Sequence, residues 1–595
     1  MSNLNKEKDH MLWKVTWPYL RQHKATATGI IALQFTATIA ALFLPDLNAS
    51  IIDEGVVTGD VGKVWQLGGI MLAVSAVQAV TSGFAVYLSA KLAMGLGADL
   101  RGHVFDHVQS FSSQEVRRFG APSLITRNTN DIQQIQMVTL MIFNLIMAAP
   151  IMAIGGAIMA LKMNVKLSGI LLVIIPIIAV TIFMAYRSLA PRFRIQQDRL
   201  DAMNTVLREE LSGIRVIRAF VKQDEIDDKY QDANSNLRQV ALGIGAVFAL
   251  IFPFLQLVAS AGSVAVVWFG ARLVDAGQME IGALLAYISY LFMIFGATMT
   301  ASMMFFMLPR ATVTARRVNH VLTTESSVAP PSPDQRKKLP QGPLDFRFDN
   351  VTVQYPGAEE AVLHGINTVL RAGTTTAVIG STGSGKSTLA NLLPRLMDPS
   401  AGAITVSNGQ ESVNTCDVDL FELREQIGFV PQTAFLFSGT VASTVSGEEF
   451  PTEEQKEAVQ RALEGAQAAE FVSELEDGLD EQVEAGGKNF SGGQRQRLTM
   501  ARALYRKAKL YVFDDSFSAL DYATDAKIRN SLRNYVGDAA VLIVAQRVAT
   551  IRHADAILVL DQGKIVACGT HSELLESDPT YQEIVESQLT VEERA

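Results

Sequence analysis

The sequence predicts a polytopic α-helical membrane domain of six transmembrane helices, fused to a C-terminal α/β domain. Three observations carry this expectation. Long apolar runs fill the first half of the 595-residue chain and stop near Pro309. A stretch rich in proline, serine and charge, TTESSVAPPSPDQRKKLPQG at 323–342, has no apolar period and reads as a linker. Beyond it, strand and helix patterns alternate to the end, as in an α/β domain.

Taken in order, residues 1–25 are charged and amphipathic and are expected to form an elbow along the membrane surface. They lack the short apolar core and small-residue cleavage site of a signal peptide. Spans are expected at 26–46, 64–90, 138–162, 165–187, 243–270 and 282–308. Each holds roughly 20 or more mostly apolar residues, enough to cross a bilayer core of about 30 Å. The segments 91–137 and 188–242 are long and rich in arginine, among them Arg101, Arg117, Arg127, Arg192 and Arg218. The first external turn is acidic, with Asp46, Asp53, Glu54 and Asp60. The positive-inside rule then puts the long segments and both termini in the cytoplasm. Those segments are expected to extend the membrane helices inward, with turns at 112–123 and 213–225 where a short helix would press on a second domain. The domain plan is therefore 1–25 elbow, 26–320 membrane domain, 321–343 linker, 344–585 α/β domain and 586–595 tail.

Composition excludes several classes. The chain is 49% hydrophobic and 19% charged, rich in apolar residues for a soluble protein. A net charge of −9 argues against nucleic acid as a partner. Two cysteines, Cys416 and Cys568, show no metal-binding spacing.

The α/β half carries a phosphate site. TAVIGSTGSGKSTLANLL (376–393) reads as an apolar strand, a glycine-rich loop and a helix start. The loop Gly380, Ser381, Thr382, Gly383, Ser384, Gly385, Lys386, Ser387 fits G-x-x-x-x-G-K-[ST], followed by Thr388. Glycines let backbone N–H groups converge on phosphate oxygens, and the helix dipole adds to their pull. Lys386 supplies a positive charge and Ser387 a hydroxyl for Mg²⁺. LYVFDDS (510–516) is a buried strand ending in Asp514, placed to orient Mg²⁺.

Between these motifs lies NFSGGQRQRLTMARAL (489–504). Here the chain resembles the ATP-binding cassette (ABC) superfamily, and over nearly its whole length it looks like a bacterial exporter half-transporter with a P-loop nucleotide-binding domain. The resemblance implies ATP and Mg²⁺ as cofactors. It casts Ser491, Gly492, Gly493 and Gln494 as the signature that closes on ATP held by a second subunit. Tyr355 would stack on adenine. Gln432, Ser387 and Asp514 would form the Mg²⁺ shell, and Asp521 the D-loop. Glu484 or Lys488, in VEAGGKN, stands near the stretch that meets the intracellular loops.

Two positions depart from the family pattern. The usual catalytic glutamate is Asp515, one methylene shorter, so its carboxylate sits roughly 1.5 Å back. The usual histidine is Gln546, which cannot carry a proton's charge. Both changes touch one catalytic step while the ATP-binding parts stay intact. They imply a degenerate site, and a heterodimeric exporter in which this chain's intact signature completes the partner's site. Two other readings stay open: a homodimeric lipid flippase or lipid/siderophore importer on the same fold, and a nucleotide-gated regulator that does not pump. The expected substrate is a lipophilic small molecule moved across the bacterial cytoplasmic membrane. It is drawn from the Met/Phe-rich last span (291–310) and from the lack of a mid-span acidic residue. Pro150, Pro176 and Pro253 fall inside spans, where they either kink the helix or are tolerated by neighbours.

Overall fold

The computed structural model describes residues 11–588, apart from the side chains at 303–306 and 309. The chain divides into two compact units, Met1–Gln109 with Gly120–Thr324, and Ser110–Phe119 with Glu325–Ala595.

Among the described residues of the first unit, six helices are long and apolar enough to cross a membrane. Three of them far exceed one span: Val61–Gln109 has 49 residues, Gly169–Ala219 has 51 and Gln223–Asp275 has 53. At about 1.5 Å per residue each reaches roughly 75–80 Å, more than twice the bilayer core. Their outward faces are apolar, with Leu172 79% and Leu250 74% exposed, as lipid contact requires. The helix Gln223–Asp275 packs through small residues on both Gly169–Ala219 and the last span, Ile281–Leu322. A Cβ at Gly262 would collide with Ile174, and one at Gly270 with Leu284, so the backbones approach closely there. The centre of the unit holds Tyr287 and Tyr290, both fully buried, and the Tyr290 hydroxyl donates to the Leu42 carbonyl at 2.9 Å.

The prolines do not break the spans. Pro176 and Pro253 lie inside continuous helices. Pro150 falls in the first turn of Ala148–Met163, just after the π-helical stretch Ile142–Ile146, whose wider turn absorbs a missing N–H. At the N-terminus, Met11–Gln22 is an amphipathic helix with Leu12, Val15 and Leu20 buried. Trp13 and Trp17 stack on its outer face at 4.5 Å, in the manner of interfacial aromatics. Residues 1–10 of the expected elbow and 589–595 of the expected tail lie outside the described residues.

The two expected cytoplasmic turns differ. The first contains a separate short helix, Ser113–Phe119. The second contains none: the helix ending at Ala219 reverses through Phe220, Val221 and Lys222 into the helix starting at Gln223. Val221 takes φ 51°, and Lys222 N–H closes the turn on the Ile217 carbonyl at 2.9 Å. A shorter connection sufficed because both long helices run to the tip itself.

The second unit has two main sheets. Strands β1 (Asp345–Val353), β2 (Leu363–Leu370), β4 (Ala401–Ser407) and β5 (Ser412–Asn414) form an antiparallel sheet in the order β2-β1-β4-β5. The other sheet contains β3 (Thr375–Ile379), β6 (Ile427–Val430), β9 (Leu510–Asp514), β10 (Ala540–Val544), β11 (Ala556–Asp561) and β12 (Lys564–Gly569). Its order is β12-β11-β3-β10-β9-β6, parallel except at the β12 edge. A short pair, β7 (Gly439–Thr440) and β8 (Gln482–Val483), lies apart. Strands β9 and β10 are buried at every residue. Such unbroken apolar runs belong to parallel strands covered on both faces.

Candidate functional site

The site follows from sheet order. Parallel strands end on the same edge, and ligands bind beyond their C-terminal ends. Strands β3, β10, β9 and β6 are consecutive neighbours, with Val378 opposite Val544, Val544 opposite Asp514, and Val430 opposite Phe513. One or two residues past those positions the chain delivers Gly380, Gln546, Asp515 and Gln432 to one edge. Side chains scattered over more than 160 positions therefore meet in a single cleft.

The glycine-rich loop wraps into the helix Lys386–Leu392. Gly385 sits at φ 100°, and a Cβ there would meet Leu363 Cδ2 at 2.6 Å, so no other residue fits. Lys386 is buried and its Nζ donates to the carbonyls of Gly380 and Ser381 at 2.9 and 2.7 Å. Burial lowers its pKa, and the charges of Asp515 and Asp514 oppose that fall. Ser387 Oγ donates to Asp514 Oδ1 at 2.9 Å. A hydroxyl and a carboxylate so close form the oxygen-rich pair that Mg²⁺ prefers, so the residues fit the ion. Thr388 Oγ1 lies 3.2 Å from the Tyr355 hydroxyl, which ties the expected adenine-stacking ring to the loop.

Asp515 is the focus of the cleft. It leaves β9 in the left-handed region, φ 48°, a conformation that aspartate tolerates better than most residues. Its N–H donates to the Val544 carbonyl at 2.9 Å, and its own carbonyl accepts from Ser518 Oγ at 2.8 Å. Both Gln432 Nε2, at 3.2 Å, and Gln546 Nε2, at 2.8 Å, donate to the same oxygen, Oδ2. Burial lifts the Asp515 carboxyl above the usual aspartate range, and the Gln432 amide and Lys386 charge pull it partly back. Burial lifts Asp514 as well; the Ser387 hydrogen bond opposes the rise, and the neighbouring Asp515 charge adds to it.

The expected signature lies apart from this cleft. Ser491 caps the helix Gly492–Tyr505 in a reciprocal capping box: Gln494 N–H donates to Ser491 Oγ at 3.3 Å, and Ser491 N–H to Gln494 Oε1 at 2.9 Å. Asp521 caps the next long helix, Tyr522–Val536, accepting from Thr524 N–H at 2.9 Å. Glu484 and Lys488 fall in a tight turn in which Gly487 N–H meets the Glu484 carbonyl at 2.7 Å.

Sequence reasoning missed three groups. The Arg117 guanidinium, from the short helix Ser113–Phe119, lies over the Tyr355 ring, 5.8 Å from its centroid. Glu115, buried in the same helix, accepts from Ser112 N–H and Ser112 Oγ at 3.0 and 2.6 Å, and from the linker's Ser327 Oγ at 3.3 Å. Gln588, near the C-terminus, bonds the backbone on both sides of Arg547. The only signal for the first two was a polar, charged tip between apolar helices. Nothing local marked the third.

In the first unit, a cavity of about 500 Å³ is lined by Val138, Met141, Leu189, Phe193, Phe248 and Phe252, with Thr300 and Ser302 as its hydroxyls.

Comparison with known proteins places this geometry. Residues 28–298 match the ABC transporter transmembrane region and residues 363–518 the ABC transporter family. The chain is 43% identical to a Mycobacterium tuberculosis ABC transporter ATP-binding protein, over 97% of this chain and 98% of that one. It is 27% identical to the ATP-dependent lipid A-core flippase of Ralstonia nicotianae, over 96% and 95%. It is 29% identical to a multidrug efflux ATP-binding/permease protein of Mycobacterium tuberculosis, over 96% of this chain and 47% of that one. In fold it is similar to a bacterial Atm1-family ABC exporter solved with ATP bound, at TM-score 0.76 and 21% identity, covering 96% and 99%. The chain belongs to the ABC transporter family. It is a multi-pass membrane protein with the exporter fold, and a transporter ATPase that uses ATP with Mg²⁺.

Proposed function

We propose that this chain is one half of a heterodimeric exporter that moves lipophilic compounds outward across the cytoplasmic membrane, with both termini inside. Its own phosphate site binds Mg²⁺-ATP and hydrolyses it slowly, while Ser491–Gln494 complete the partner's site. The observation that carries this is the Asp515 carboxylate, short by a methylene and held on one oxygen by two glutamine amides. A general base must reach its water, and a misplacement of about 1 Å costs on the order of 10²-fold in rate. Neither amide can take up a proton as a histidine would. Meanwhile Lys386, Ser387 and Asp514 keep their places for phosphate and metal.

Ser387, Asp514 and Gln432 would hold Mg²⁺, which would supply positive charge against the negative charge developing on the phosphate. The chain's own residues do the rest. Loop N–H groups and Lys386 hold phosphate oxygens, Tyr355 holds the base, and Asp515 orients the water. Arg117 links the base-binding ring to the short helix Ser113–Phe119. The apolar cavity, with two hydroxyls, suits a lipophilic substrate. The multidrug efflux relative is about twice as long as the stretch it shares with this chain, in keeping with a transporter of two such halves.

The test is transport in proteoliposomes. This chain with a distinct half-transporter should accumulate a lipophilic dye on ATP addition, and this chain alone should not. Fast ATP turnover and transport by the chain alone would replace the heterodimer with a homodimer.

A further inference from the structure

The last described helix, Pro579–Gln588, reaches the nucleotide cleft by an unusual route. Tyr581 and Val585 are fully buried. Residues spaced four and then three apart share one helix face, so Gln588, itself exposed, extends the face that carries Tyr581 and Val585. The helix is pinned at its start, where Tyr581 N–H donates to Asp578 Oδ1 at 2.7 Å and the Tyr581 hydroxyl meets His571 Nδ1 at 2.7 Å.

At its end, Gln588 pairs with backbone. Its Nε2 donates to the Gln546 carbonyl at 2.8 Å, and its Oε1 accepts from Val548 N–H at 2.9 Å. One side-chain amide thus reads two peptide groups that flank Arg547, as a neighbouring strand would. The segment Gln546–Arg547 has no regular structure of its own. It is also held by Arg547 to the Ser518 carbonyl at 3.3 Å, by the same guanidinium over the Tyr522 ring at 5.3 Å, and by Thr550 N–H donating to the Arg547 carbonyl at 3.2 Å. The Gln546 side chain points from this segment to Asp515 Oδ2. The glutamine amide carries a donor and an acceptor on adjacent atoms of one plane, and asparagine is a methylene shorter.

We infer that Gln588 is a positioning residue: through the backbone of 546–548 it sets the Gln546 amide toward the terminal phosphate of the nucleotide, so the C-terminal helix tunes how the site tells ATP from ADP. The inference rests on the proposed function, with Gln546, where the family has a histidine, standing beside Asp515 at the reacting end of the nucleotide. It does not depend on how fast the site hydrolyses ATP.

The experiment uses the full-length assembled transporter in lipid nanodiscs. Affinities for Mg²⁺-AMP-PNP and Mg²⁺-ADP are measured for the parent, Gln588→Ala, Gln588→Glu, Gln546→Ala and the double variant Gln546→Ala/Gln588→Ala. Glutamate matches glutamine in size but has no donor for the Gln546 carbonyl. The expected result is that Gln588→Ala and Gln588→Glu both weaken AMP-PNP binding about tenfold, with ADP binding and Tm unchanged, as loss of one or two well-placed hydrogen bonds predicts. The double variant should match Gln546→Ala alone. Equal loss for both nucleotides, full retention in Gln588→Glu, or additive effects in the double variant would each overturn the positioning role. In a heterodimer half of the sites shift and the titration becomes biphasic; in a homodimer all shift. Failure of the two-chain assignment is thereby separated from failure of the clamp.

Discussion

Restoring length and charge at the cleft should raise hydrolysis at this chain's own site. The perturbation is Asp515→Glu with Gln546→His. Glutamate extends the carboxylate by roughly 1.5 Å, one C–C bond. That distance takes the acid past the oxygen position now fixed by Gln432 and Gln546 at 3.2 and 2.8 Å. Recovering about 1 Å of alignment is worth on the order of 10²-fold, or about 2.7 kcal/mol in the barrier. A histidine adds a group able to hold a proton near neutral pH. There is an opposing cost: the left-handed backbone at residue 515, φ 48°, suits aspartate better than glutamate. That strain takes about 1 kcal/mol from stability without touching the chemistry. The assay is Mg²⁺-dependent phosphate release in a transporter whose partner site is silenced, with ATP affinity measured in parallel. The rate should rise by roughly 10- to 100-fold with affinity unchanged within about threefold. An unchanged or lower rate in a folded, ATP-binding variant would refute the claim that arm length and the missing histidine limit this site.

Other consequences follow from the same geometry. Gly385→Ala should abolish ATP binding and lower stability by about 1–3 kcal/mol, because a side chain at φ 100° is strained and its Cβ strikes Leu363; calorimetry and nucleotide titration check both. Ser327→Ala removes one donor from buried Glu115, and amide exchange in Ser113–Phe119 should speed up several-fold, equivalent to about 1 kcal/mol. Burial, then the charges of Arg552 and His553, hold the His571 imidazole below its usual 6.5. A depressed histidine pKa contributes stability that is present above the unfolded value and lost as pH falls through the folded one. Acidification below about pH 6.5 should therefore loosen the C-terminal helix, seen as faster amide exchange at 579–588, and His571→Gln should remove that dependence.

Much of this was readable from residues. Apolar runs of 20 or more residues announced the spans, and the unbroken run LYVFD announced a covered parallel strand with an acid at its end. The clustering of Gly380, Gln432, Asp515 and Gln546 was readable only through the family resemblance, because strand order is a long-range property. Three features had no local sign. The π-helical stretches at Ile51–Val56, Arg127–Asp131 and Ile142–Ile146 change the residues per turn without changing hydropathy. The segment Ser110–Phe119 groups with the nucleotide-binding unit as the expected tip required, but nothing in the sequence marked Glu115 and Ser327 as the pair that binds it. The Gln588 amide meets backbone 40 and 42 positions away, a pairing that no periodicity encodes.

The central claim is that this chain's site holds ATP through a transport cycle. The direct measurement is the phosphate content of nucleotide retained on this chain after sustained turnover, using α-labelled azido-ATP cross-linked in the assembled transporter and the two subunits separated. We predict triphosphate on this chain and diphosphate on its partner. Diphosphate on both subunits in equal measure would mean that Asp515 is a competent catalytic acid, and the asymmetric account would be wrong.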